Sequence, residues 1–423
     1  MIKRIFFLTA IILIFQNLFF SCSSSRRQAG HHDDVNLQSE RLISNKTVEM
    51  RNNSFAFDIF NELSDTSEEN LVISPFSIST ALAMTYAGAA GETAEQMSNT
   101  LFFERNQDVF HEEFSSWMNQ IITRGAEKDQ LRLANSLWPQ EDYPFHEDFM
   151  KLIEKYYHSA FYKVNYKGDR EAIRQQINLW VEKHTNNLIK DLIQPGILVE
   201  DTRLVLVNAI YFLSNWKIAF DQNATHNARF NVSSEKQVNV PFMFMRDTLN
   251  YFETEYFQAI ELEYEGSGFS MMVMLPSIGQ DLNRMINKMD AAGFLEIAEK
   301  MEKQNVEVYL PSFKVRSKFD LERMLAAMGM PYAFSNLADF SRMTPLDDLK
   351  IDKVIHEAFV DVHEEGTEAA ASTAVVIIRK SAVIDDQKKV FRADRPFFFA
   401  IKENHTNSIL FMGKIVNPEL RAE

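Results

Sequence analysis

The sequence predicts an α+β body in which helices surround large, mixed, mostly antiparallel sheets. Three observations predict it. Apolar residues recur at helical spacing through much of the first part of the chain, β-branched and aromatic runs dominate the second, and no alternating strand–helix unit joins them. Residues 47–423 contain no internal repeat and no linker that would split them, so they read as one domain.

The elements follow in order. Residues 53–63 carry Phe55, Ile59, Phe60 and Leu63 at helical spacing, 77–90 is Ala-rich and apolar, and 107–123 and 170–188 are amphipathic helices. Residues 204–213, 270–275, 306–310 and 353–362 form apolar, β-rich runs that read as strands. Near the C-terminus, Arg395 and Pro396 introduce a strand over 397–401, and 408–412 adds another.

Composition narrows the function. With 44 Lys and Arg against 59 Asp and Glu, the net charge is −15, which argues against a nucleic-acid surface built on cations. A single cysteine excludes an intramolecular disulfide, a CxxC redox pair and a multi-cysteine zinc site. The chain shows no GxSxG, HExxH, GxGxxG or GxxxxGK[ST] motif. No metal or cofactor is expected; His31, His32, Asp33 and Asp34 lie in a polar stretch and read as solvated.

The first residues pair Lys3 and Arg4 with an apolar stretch from Ile5 to Phe20, the layout of an export signal and short for a membrane span. Ser21 and Cys22 follow, and the segment resembles a bacterial lipobox, with bulky Phe19 and Phe20 as looser matches. Residues 1–21 are therefore expected to be a lipoprotein signal and Cys22 the lipidated residue. An ordinary cleaved signal and an uncleaved anchor are the alternatives. Residues 23–46 are polar and aperiodic, a linker whose flexible reach is roughly 25 to 30 Å. The expected location is the outer membrane, on its periplasmic or its cell-surface side.

The most informative segment is 364–381, EEGTEAAASTAVVIIRKS. Its small residues and lack of Pro suit a loop that can also slip between two strands. As a strand it would turn Thr367, Ala369, Ala371, Thr373, Val375 and Ile377 to one face, all uncharged, and Glu368 to the other. A charge at Thr367 would be buried unpaired, costing several kcal/mol.

The segment closely resembles the hinge of inhibitory members of the serpin family, through Glu364, Glu365, Gly366, Thr367, Glu368, Ala369, Ala370, Ala371 and Ser372. FRADRPFFFAI from Phe391 matches the family's C-terminal signature. NLVISPFSISTALAMTYAGAAGETAEQM from Asn70, NAIYFLSNWKIAF from Asn208, VEVYLPSFKV from Val306 and LFMGKIVNP from Leu410 follow in family order.

The resemblance implies a serpin fold with an exposed reactive-centre loop at about 364–390 and a protease inhibitor that is not an enzyme. It implies that a target serine protease attacks the loop, the hinge inserts as a strand, and the acyl-enzyme is trapped. At the family's usual distance from the first hinge Glu stands Lys380, so the implied bond is Lys380–Ser381, with Arg379, Val376 and Ile378 as alternatives. A basic residue there suits trypsin-like enzymes first, the Val/Ile run elastase-like or subtilisin-like ones, and cysteine proteases are further targets. Ser74, Ser77, Asn208 and His356 match the family's polar cluster where the sheet opens, and Trp216 the tryptophan where the loop enters. Ser312 stands where some members carry a Lys that pairs with the residue matching Glu364, so that pair is missing. A non-inhibitory serpin, acting as a binding or chaperone-like protein, is the alternative. The expected partners are target proteases and, through the lipid, a membrane; the chain is expected to be a monomer.

Overall fold

The computed structural model describes residues 46–124, 130–266, 268–367 and 388–419. Helix α1 (Val48–Asp65) buries Phe55, Ile59, Phe60 and Leu63, the face the spacing marked. Strand β1 (Leu71–Ile73) leads into α2 (Pro75–Tyr86), where Pro75 opens the first turn and Ser74 Oγ caps it by accepting from the Ser77 N–H. Helices α3 (Gly91–Leu101) and α4 (Gln107–Arg124) follow. Next come β2 (Gln130–Pro139), α5 (Glu147–Tyr157), β3 (Ala160–Phe161), α6 (Arg170–His184) and β4 (Leu204–Asn215).

The second part is dominated by strands: β5 (His226–Asn231), β6 (Gln237–Glu253), β7 (Phe257–Glu263) and β8 (Phe269–Pro276). Short helices α7 (Leu282–Asn287) and α8 (Ala291–Lys300) precede β9 (Glu302–Pro311) and β10 (Phe313–Asp320). Helix α9 (Glu322–Met328), β11 (Ile355–His363) and the two-residue β12 (Gly366–Thr367) come next. The described chain closes with β13 (Lys389–Arg392), β14 (Phe397–Glu403) and β15 (Ile409–Ile415).

Two sheets result. One has the order β1-β15-β14-β8-β7-β6-β9-β13, with β5 added to β6; the other runs β10-β11-β12-β4-β2-β3. Helix α2 is buried between them, touching β15 of one and β4 of the other. Strands β8, β14 and β15 are buried along their whole lengths, which explains why they read as continuous apolar runs. Their few charges are partnered: Lys402 Nζ lies 2.6 Å from Glu261, Arg124 2.8 Å from Glu403, and Lys414 Nζ donates to the Ser64 and Ser67 carbonyls. Among the described residues no helix is long and apolar enough to cross a membrane.

The expected strands and helices are present with shifted ends. The helix expected over 170–188 stops at His184, because Asn186 and Asn187 take left-handed backbone angles that a helix cannot continue. The expectation of no alternating unit needs correction: β2, α5 and β3 form one short crossover, with β3 parallel to β2.

Candidate functional site: the opening in the six-stranded sheet

β4 pairs along Leu204–Leu213 with β2 on one edge. Among the described residues its other edge pairs only with β12, with Gly366 opposite Asn215 and Thr367 opposite Ser214. β12 in turn pairs with β11, Thr367 opposite Val362 and Gly366 opposite His363. Because β12 stands between them, β4 and β11 are two inter-strand spacings apart there, roughly 9.5 Å. Among the described residues they form no ladder with each other at any point. At the other end of this opening lies a cavity of about 320 Å³ bordered by Val205, Val207, Ile355 and His356.

The top of the opening is built around residues 364–367. Gly366 admits no side chain: a Cβ there would fall 2.2 Å from the Ser214 carbonyl oxygen and 2.7 Å from Asn215 Cα. Thr367 is 2% exposed, and its hydroxyl lies 2.6 Å from the Tyr264 hydroxyl. The Trp216 indole stacks on Tyr264, rings 4.6 Å apart and 11° from parallel. Its Nε1 donates to the His363 carbonyl at 2.9 Å, and its backbone N–H to the Glu365 carbonyl at 2.8 Å. Trp216 therefore ties both ends of the β11–β12 turn.

Among the described residues Glu364 and Glu365 are held without a lysine. The Glu364 carboxylate accepts from the Thr225 hydroxyl at 2.7 Å and its carbonyl from the Phe220 N–H at 3.0 Å, while Gln222 donates to the Glu365 carboxylate at 3.0 Å. Ser312, buried beside β9, leaves this task to the segment after β4.

Further down, His356 on β11 is buried, and its Nε2 accepts from the Ser74 N–H at 3.0 Å. Burial pushes its pKa down to about 3, which keeps the ring neutral and Nε2 free of a proton. Ser74 Oγ donates to the Leu410 carbonyl at 2.7 Å while accepting from Ser77 N–H at 3.2 Å. One residue thus joins β11, the start of α2 and β15. Asn208 sits on β4, opposite Asn135 of β2, and its side chain lies outside the described residues.

Ser74, Ser77, His356, Trp216, Glu364, Glu365, Gly366 and Thr367 therefore line or border one opening. Glu368, Ala369, Ala370, Ala371 and Ser372, the bond at Lys380–Ser381 and its alternatives Val376, Ile378 and Arg379, and Cys22 all lie outside the described residues. Sequence reasoning missed Tyr264, Thr225 and Gln222. Only the absent lysine at Ser312 hinted that the glutamates had other partners.

The arrangement defines a class: a two-sheet α+β protein in which a two-residue strand, Gly366–Thr367, sits between β11 and β4, strands that form no ladder with each other among the described residues. The chain belongs to the serpin family: the sequence model described as serpin (serine protease inhibitor) matches residues 50–418. An uncharacterized serpin-like protein of Methanosarcina mazei is 36% identical over 375 residues, covering 88% of this chain and 87% of the relative. The structure of cleaved serpin 42Da superposes with a TM-score of 0.78 at 29% identity, covering 87% of this chain and 98% of that one. Human thyroxine-binding globulin in complex with thyroxine gives a TM-score of 0.77 at 27% identity, covering 88% of this chain and 98% of that one.

Proposed function

We propose that the chain is an inhibitory serpin that acts as a suicide substrate for secreted serine proteases, trypsin-like ones first. The observation that carries this reading is the two-residue strand Gly366–Thr367, seated between β4 and β11, which form no ladder with each other among the described residues.

Continuing that register along the opening would set Thr373 between Asn208 and His356, and Ile377 opposite Leu204, the first residue of β4. Every odd-numbered residue on the way would share Thr367's buried face, and none of them is charged. A cut after Lys380 would free enough chain to fill the opening to the end of β4 and leave a short tether. A protease acylated on Lys380 would then travel about 45 Å from the hinge. Displacement on that scale strips the enzyme's oxyanion hole and triad of their alignment, so the ester is not hydrolysed.

Elastase-like or subtilisin-like enzymes, attacking near Val376 or Ile378, and cysteine proteases are further targets on this reading. Cys22 is the proposed lipid anchor of an exported, bacterial lipoprotein on the outer membrane, with residues 23–46 as the tether. A second reading, a binding serpin without the trap, is favoured by the likeness to thyroxine-binding globulin. Titration of trypsin separates the two. Inhibition predicts that activity falls linearly to zero near one chain per enzyme and stays lost on dilution; full activity at every ratio overturns it.

A further inference from the structure

A second cavity, about 130 Å³, lies under Trp216 and is walled by Trp216, Phe220, Met245, Leu249 and Leu262. It is apolar and close in size to an engineered cavity of about 150 Å³ that takes up benzene. Its rim is charged. Lys303 Nζ lies 3.1 Å from Glu263 Oε1, and Lys217 Nζ bonds the other oxygen of the same carboxylate. Two ammonium groups sharing one carboxylate leave one net positive charge at the mouth. Each ammonium has three donors and gives one to Glu263. Both lysine side chains are about half exposed, so a headgroup arriving from solvent can reach them.

We propose that this pocket binds a small amphipathic carboxylate, a single six-membered ring or short alkyl chain bearing an anionic head. The tail enters beneath the indole, and the head is received by Lys217 and Lys303. Shape sets the size of the tail, and charge sets the sign of the head. The occupant touches the indole whose Nε1 donates to the His363 carbonyl, and the backbone N–H of the same residue holds the Glu365 carbonyl, so it reaches the β11–β12 turn through Trp216.

The probe is phenylacetate, titrated into the full chain while tryptophan fluorescence is followed. A saturable change is expected, with the neutral phenylacetamide binding about tenfold more weakly, about 1.4 kcal/mol. The double variant Lys217→Gln, Lys303→Gln should weaken phenylacetate about tenfold and leave phenylacetamide unchanged. Leu249→Phe, which fills the cavity, should abolish binding of both. Phenylacetate that never saturates, or that binds no better than phenylacetamide, overturns the proposal. So does a folded Leu249→Phe chain that binds normally. Should that variant fail to fold, the lysine pair, on exposed positions, still decides. None of these readouts uses a protease, so they stand apart from the inhibitory reading.

Discussion

Tyr264 and Thr367 are joined hydroxyl to hydroxyl at 2.6 Å, which fixes the second residue of β12 against an irregular connection after β7. Both side chains are buried, so neither hydroxyl can turn to water instead. Tyr264→Phe leaves the Thr367 hydroxyl without its partner, at a cost of about 1–3 kcal/mol. Adding Thr367→Val removes the orphaned group and should recover most of the loss. Denaturant midpoints of the two single variants and the double variant measure the coupling; a Tyr264→Phe chain as stable as the parent contradicts it.

Gly366 and Thr367 have room for neither bulk nor charge. Gly366→Ala puts a methyl group against the backbone of Ser214 and Asn215, atoms that cannot swing aside. The two-residue strand is expected to leave the sheet, and amide exchange over 362–367 to speed up at least about tenfold. Thr367→Arg forces a cation into a site that is 2% exposed. That chain should be cleaved by trypsin without holding it, and unchanged inhibition would refute the insertion register.

Acid should weaken the fold from about pH 6.5 downward, through two buried histidines. His356 and His111 are both pushed down to about 3, by burial first and, for His111, by Arg342 as well. In the unfolded chain each takes up a proton near 6.5. Below that pH the unfolded state binds more protons, so stability falls as pH drops from about 6.5 toward 3. Each ring contributes a slope of up to about 1.4 kcal/mol per pH unit. His356→Gln keeps an acceptor for the Ser74 N–H and should remove about half the slope between pH 6.5 and 5. Stability that stays flat over this range in the parent contradicts the assignment.

Much of this was legible in the sequence because it rests on local pattern. The apolar face of α1 and the continuous runs of β8, β14 and β15 follow from periodicity and burial, whereas α2, expected from Ser77, starts two residues earlier at Pro75 behind the Ser74 cap. Gly366 and Thr367 stood out as small and uncharged, and both are buried. What escaped depends on distant partners. Tyr264 makes an isolated bridge to Trp216 and carries no periodic signal, and Thr225 meets Glu364 across 139 residues of chain. The 17-residue β6 was not read because its alternation changes phase at the adjacent buried pair Phe242 and Met243, next to Pro241, although its partners β5, β7 and β9 make it continuous.

The most direct test of the central claim is a denaturing gel of the chain mixed with trypsin. Trapping predicts a band at the combined mass of enzyme and inhibitor that survives boiling, accompanied by a released fragment beginning at Ser381. Cleaved chain alone, with no combined band from trypsin or from elastase-like and subtilisin-like enzymes, would contradict it.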